Sequence, residues 1–88
     1  MKWPAKLIEV EWVDSYSEGA TVWTKEADME LGGYRHWSVG WVQAEDAKWL
    51  SIVPHVSVEK GKVWNVSGHI AIPKCSILKR RTLGSRRK

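Results

Sequence analysis

Short segments in which apolar and polar residues alternate run along most of this chain. In residues 7–13, acidic side chains separate three apolar ones that fall at every second position (Ile8, Val10 and Trp12). This period of two is typical of a β-strand with one buried face. Further alternating or apolar segments follow at residues 36–41, 49–53, 64–72 and 77–83, each next to turn-forming residues. We therefore predict five short strands.

The number and spacing of these strands predict the fold class. Five short strands within about 80 residues fit a small antiparallel sheet that closes on itself, because an open sheet would leave two long edges unprotected. We predict an all-β fold, a small five-stranded barrel of the SH3-like or Sm-like type. An OB-type barrel is the main alternative, although its helix normally falls between strands three and four.

Two short helical segments are predicted between the strands. In residues 24–31, Thr24 can cap a helix, acidic residues follow in the first turn, and two glycines end it. This pattern predicts a short helix between strands one and two. Residues 73–76 predict a one-turn helix before the last strand. The chain has 88 residues, enough for one core, so we place a single barrel domain at 1–83 and a disordered basic tail at 84–88.

The net charge of +4 is unevenly distributed along the chain. Residues 1–73 hold ten acids and seven Lys or Arg, which gives −3, whereas residues 74–88 hold seven Lys or Arg and no acid, which gives +7. The basic segment could neutralise phosphates, or it could be a solvated chain end. A single cysteine fits a reducing compartment, and no apolar run is long enough to span a membrane. We therefore expect a cytoplasmic protein.

Seven tryptophans in so short a chain are more than a small barrel interior can hold. Three of them lie within the alternating segments, and we predict that these form the core: Trp12, Trp41 and Trp64. The other four lie nearer to the ends of elements or in loops, and we expect them to be partly exposed: Trp3, Trp23, Trp37 and Trp49. Exposed indoles are favoured at interfaces and as stacking platforms for bases, although they could also cover the ends of the barrel.

Residue types that carry enzymatic chemistry are present, but they form no catalytic or metal-binding motif. Cys75 lies in an apolar turn, where a packing role explains it. The histidines at positions 36, 55 and 69 are 19 and 14 residues apart, unlike the ligands of short metal motifs. The acids at positions 14, 45 and 46 fit turn formation better than acid–base catalysis. We expect no enzyme, no metal and no cofactor.

Three short motifs resemble a group of small proteins encoded by phages and prophages. The motifs are Val-Glu-Trp-Val-Asp-Ser at 10–15, Ser-Val-Gly-Trp at 38–41, and Ile-Pro at 72–73 with Ile77 four residues on. The resemblance spans residues 7–83. It implies a small β-barrel protein made in the cytoplasm of an infected bacterium, and it assigns no catalytic residues. Phage barrels of this size include oligomers that sequester the nucleotide signals of bacterial immunity.

Together these features predict a non-enzymatic, homo-oligomeric phage protein that binds an anionic nucleotide ligand and acts as an anti-defence sponge. Aromatic side chains would stack on the base and basic side chains would bind phosphate. The residues that we expect to do so are Trp37, Trp49, Arg35, His36, Lys79, Arg80 and Arg81. Two alternatives remain open: an inhibitor or adaptor that docks a host enzyme through an exposed tryptophan patch, and an Sm-like nucleic-acid binder.

Overall fold

The computed structural model describes residues 1–15, 23, 25–28 and 32–85, and these form strands and two 3₁₀ turns. The strands are β1 (Lys6–Asp14), β2 (Tyr34–Glu45), β3 (Trp49–Val53), β4 (His55–Glu59), β5 (Lys62–Ser67), β6 (Ile70–Pro73) and β7 (Ile77–Ser85). The 3₁₀ turns are Glu26–Asp28 and Lys74–Ser76. No helix within these residues is long and apolar enough to cross a membrane.

Five of the strands form one antiparallel sheet in the order β6-β3-β2-β1-β7. β1 and β2 pair along their length, from Leu7 opposite Trp41 to Asp14 opposite Tyr34. β7 pairs with the other side of β1 and forms one edge of the sheet, while β6 forms the opposite edge. The predicted all-β class and an antiparallel sheet of five strands are therefore confirmed. The predicted total of five strands is wrong, because the described residues form seven: the strand predicted at 64–72 is divided between β5 and β6, and β4 lies outside the predicted strands.

The sheet does not close into the predicted barrel. β6 and β7 are both edges, and no backbone ladder joins them in the described part of the chain. Instead, the Glu45 carboxylate at the end of β2 accepts hydrogen bonds from Arg80 on β7 (2.7 and 3.3 Å), and it lies 2.7 Å from Lys74 Nζ. The prediction assumed that the edges need backbone closure. Here ion pairs link the ends of the curled sheet, and charged side chains protect the β7 edge.

The helix predicted at residues 24–31 is also not found among the described residues. Only Glu26–Asp28 forms a 3₁₀ turn there, and residues 24 and 29–31 lie outside the part of the chain that the structure describes. So short a segment gains too few hydrogen bonds to offset the cost of helix nucleation. The turn predicted before the last strand is the 3₁₀ turn Lys74–Ser76. β7 runs to Ser85, two residues past the predicted domain end, and residues 86–88 lie outside the described part.

Aliphatic side chains, rather than tryptophans, form the core. Trp12 is half-buried and packs against the core cluster, as predicted. Trp41 instead lies against Trp3, with ring centroids 5.9 Å apart. Trp64 is 72% exposed on β5. Two of the three predicted core tryptophans therefore lie outside the core, whose largest fully buried side chains are Ile8, Val10, Leu50, Ile52, Val53 and Ile72.

Gly40 determines which face of β2 is buried. It lies opposite the buried Ile8 in the β1–β2 pair. A Cβ atom at this position would lie 3.0 Å from the Val53 carbonyl oxygen and 3.2 Å from the Ile52 Cβ, so a larger residue would clash with β3. The side of β2 with the smaller side chains therefore faces the core. Trp41 lies on the other side, and its prediction as a core residue missed this steric limit.

β4 and β5 form a hairpin arm that continues from β3 and β6. Gly68 stands at its base with a φ of +79°, and a Cβ there would lie 2.7 Å from the Pro54 ring. Apart from the pairing of β4 with β5, the arm makes no extensive contact with any other described element. The molecule is elongated, with extents of 58 × 24 × 21 Å and a radius of gyration of 17.0 Å, against about 12 Å for a compact chain of this length.

Candidate functional site

The outward faces of β7, β1 and β2 carry three parallel stripes of side chains. β7 contributes basic residues, β1 contributes acidic residues and β2 contributes apolar residues. In register, Lys79 lies beside Glu11, which lies beside Trp37. In the next row, Arg81 lies beside Glu9, which lies beside Val39. We call this surface the striped face, and it consists of Glu9, Glu11, Arg35, Trp37, Val39, Lys79 and Arg81.

A groove of about 240 Å³ runs between the stripes. Its lining residues are Glu9, Glu11, Trp37, Lys79, Arg80 and Arg81. Trp37 is 58% exposed at this groove. The pairing of β1 with both β2 and β7 thus brings together four of the predicted site residues, although Trp37 and Lys79 are far apart in sequence.

Carboxylates neutralise both arginines of the striped face. Arg35 Nε lies 3.5 Å from Glu11 Oε2, and Arg81 Nη2 lies 3.5 Å from Glu9 Oε1. Lys79 has no ion pair within 4 Å with any residue that the structure describes. Three cations and two carboxylates leave this surface a formal charge of +1. It is therefore a mixed surface of both charges, and not a concentrated phosphate site.

Two of the predicted site residues are held by contacts on the other side of the sheet. The His36 ring packs against Trp12 with centroids 4.9 Å apart, and its Nε2 lies 4.0 Å from Asp14 Oδ2. Trp12 Nε1 in turn donates a hydrogen bond to Ser38 Oγ at 3.0 Å. Although Arg80 contributes to the lining of the groove, its guanidinium bonds to Glu45 (2.7 and 3.3 Å).

The acids at the end of β2 have structural partners. Hydrogen bonds from Arg80 and Lys74 to the charged carboxylate lower the pKa of Glu45 from 4.5 to about 2. The Asp46 carboxylate accepts hydrogen bonds from the backbone N–H groups of Lys48 and Trp49, both at 2.8 Å, and these lower the pKa of Asp46. Asp46 thus forms the turn between β2 and β3, as its sequence context predicts, and Glu45 links β2 to β7.

Trp49 lies at a different hollow from Trp37. This hollow has a volume of about 310 Å³ and is lined by Ala47, Lys48, Trp49, Pro73, Lys74 and Cys75. Trp49 is 48% exposed there. Cys75 is free and exposed, so its predicted role as a buried packing residue is wrong. Since the two hollows share no lining residue, the two tryptophans predicted to stack on one ligand lie at separate places.

The acidic members of the striped face are not among the predicted site residues. Glu9 and Glu11 were recognised as the polar side of strand one, but not as neighbours of the basic side chains. The alternation of acids on β1 and of bases on β7 was the available signal. It becomes informative only once the pairing of these two strands, which are remote in sequence, is known.

Comparisons with known proteins give no indication of function, so the function is inferred from the surface of this protein. No protein-family model matches the chain, and searches of curated proteins and of solved structures find no match. Within the described residues, no group of three or more His, Cys, Asp or Glu side chains is arranged to hold a metal ion.

Proposed function

We propose that this protein is a non-enzymatic binding protein that docks a partner protein through the striped face. The observation that carries the proposal is the apolar stripe on β2, where Trp37 and Val39 are 58% and 49% exposed two residues apart. Exposed tryptophan is typical of the residues that dominate binding energy at protein interfaces. The ion pairs beside the stripe, Glu11 with Arg35 and Glu9 with Arg81, resemble the polar rim of such interfaces.

The resemblance of the sequence motifs to phage proteins suggests the kind of partner. A phage protein that docks a protein in an infected bacterium would meet host enzymes, and we propose an inhibitor or adaptor role. The apolar stripe contributes binding that salt does not screen, because the stripe is uncharged. We therefore expect the complex to survive high salt.

An anionic nucleotide is the second candidate ligand, since Trp37 and Lys79, which has no ion pair among the described residues, line the same groove. A base could stack on the indole while the ammonium group binds phosphate. Two observations favour this candidate less. The groove, at about 240 Å³, is smaller than the roughly 300–1,000 Å³ of typical small-molecule sites. A phosphate that contacts an arginine in addition to Lys79 would also have to displace Glu9 from Arg81 or Glu11 from Arg35.

Site-specific photo-crosslinking separates the two candidates. A photoreactive amino acid replaces Val39 on the striped face, or Ser57 on the exposed arm as the matched control, and each protein is irradiated in bacterial lysate. We expect a discrete protein adduct from position 39 that is absent from position 57 and persists at 0.5 M NaCl. The same adduct from both positions, or none from either, would contradict the proposal.

A thermal-shift screen against cyclic di- and trinucleotides and ADP-ribose derivatives tests the second candidate. Under the proposed function, none of these compounds stabilises the protein. Stabilisation that is lost in a Lys79→Ala variant and retained in a Lys25→Ala variant would instead assign the groove to a nucleotide. Lys25 is exposed and lies outside the striped face, so it controls for the loss of one positive charge.

A further inference from the structure

Among the described residues, β7 forms an outer edge of the sheet next to the striped face. Its residues Ile77–Ser85 pair with β1 on one side only, and no other described strand pairs with the opposite side. An edge strand carries alternate N–H and C=O groups that have no partner within the sheet. β7 contains no proline, so each of its residues retains a backbone donor.

Two exposed leucines frame the regular part of this edge. Leu78 and Leu83 are 53% and 43% exposed. Each is the extra residue at a shift of register with β1, one between Glu11 and Trp12 and the other between Leu7 and Ile8. Between these bulges, residues 79–82 pair regularly with β1. The edge therefore offers a short regular ladder of basic residues with an apolar side chain at each end.

The charges on this edge disfavour pairing with a second copy. Two β7 strands in antiparallel pairing centred on Arg81 would place Arg81 opposite Arg81, with Lys79 and Arg80 of each copy close by. Like charges directly opposite one another destabilise a strand pair. An acidic strand would avoid this repulsion and would place a carboxylate opposite Lys79 on the outward face.

We propose that the β7 edge binds an extended acidic segment of the partner protein, which adds to the sheet as a further strand. This inference rests on the proposed function, because it names the part of the partner that contacts this protein. Backbone hydrogen bonds provide affinity in such strand addition, and alternate side chains provide specificity. Acidic side chains on one face of the added strand would reach Lys79, which has no ion pair within 4 Å in the described structure.

The β7 edge fits an added strand better than it fits a nucleic acid. Nucleic-acid backbones bind to rows of unpaired cations, whereas Arg80 and Arg81 are already bound to Glu45 and Glu9. The backbone groups of β7 that pair with no other described strand match another extended backbone directly. A strand bound here would lie beside the groove that contains Trp37.

A pair of labelled peptides tests this proposal on the full chain. The first is a nine-residue peptide with Glu at every second position and Thr or Val between, and the second carries N-methyl groups on alternate backbone nitrogens. We expect fluorescence anisotropy to show that the first peptide binds at least about tenfold more tightly, because N-methylation removes the hydrogen bonds and keeps the charge. Hydrogen exchange should slow in β7 amides and remain unchanged in the β4–β5 arm.

Charge variants provide the second arm of the test. Lys79→Glu should weaken binding of the acidic peptide at least about fivefold, while the matched Lys25→Glu variant should bind normally. Equal affinity for the two peptides, or no binding of the acidic peptide at 1 mM, would overturn the proposal. So would a nine-nucleotide oligothymidylate that protects the β7 amides when the acidic peptide does not.

The outcome separates this inference from the proposed function. A protein adduct from position 39 together with unprotected β7 amides would contradict strand addition but still support docking at the striped face. If position 39 gives no adduct and the β7 amides are not protected, both proposals are contradicted.

Discussion

Replacing Glu45 tests whether ion pairs hold the ends of the open sheet together. The Glu45→Gln substitution keeps the size and shape of the side chain and removes the charge that Arg80 and Lys74 contact at 2.7 Å. A fall of the Glu45 pKa from 4.5 to about 2 would correspond to about 3 kcal/mol in a fully desolvated site. The Glu45 side chain is 31% exposed, and solvent screening reduces this to about 1 kcal/mol.

Chemical denaturation at a series of pH values measures this contribution and its sign. Because the folded-state pKa of Glu45 is lowered, its stabilisation is fully present above the unfolded value of 4.5 and is lost as pH falls towards about 2. The free energy of unfolding should therefore differ between wild type and Glu45→Gln by about 1 kcal/mol at pH 7. That difference should fall by at least about half by pH 3.

Glu59→Gln is the matched control, since Glu59 lies at the end of β4 in the arm, away from the Glu45 ion pairs. We expect it to change the unfolding free energy by less than about 0.5 kcal/mol at any pH. A Glu45→Gln effect that equals the control, or one that stays constant from pH 7 to pH 3, would refute the view that these ion pairs connect β2 to β7.

Other substitutions test the core and the arm. Gly40→Ala should lower the unfolding free energy by about 1–3 kcal/mol, because the added Cβ would lie 3.0 Å from the Val53 carbonyl oxygen. An unchanged denaturation midpoint would contradict the assigned buried face of β2. Ile72→Ala should cost about 2–5 kcal/mol, since Ile72 is fully buried. Trp64→Ala, at a residue that is 72% exposed, should change stability by less than about 0.5 kcal/mol, and a loss as large as that of Ile72→Ala would show that the arm is part of the core.

Alternation predicted β1, β2, β3 and β7 because it reflects a local property of the backbone, but it joined β5 and β6 into one strand and missed β4. Side chains two residues apart share a face whatever the rest of the sheet does. Alternation does not indicate which face is buried when both faces carry apolar or small residues, and β2 is such a strand. The close approach of β3 to Gly40 determines which face of β2 is buried, and this contact depends on tertiary structure.

The binding surface could be predicted only in part, for a related reason. Trp37 and the bases of β7 were chosen from exposure and charge, which are properties of single residues. The neutralisation of Arg81 by Glu9 depends on the pairing of β7 with β1, between residues about 70 positions apart. Barrel closure failed as a prediction because an edge can be protected by charge as well as by a strand.

The affinity of the crosslinked partner for variants of this protein tests the central claim most directly. Isothermal titration calorimetry would compare wild type with Trp37→Ala and with Trp23→Ala, where Trp23 is 99% exposed and lies outside the striped face. If the striped face is the docking surface, Trp37→Ala weakens binding at least about tenfold, and Trp23→Ala changes it by less than about twofold. Equal affinities of all three proteins would contradict the claim.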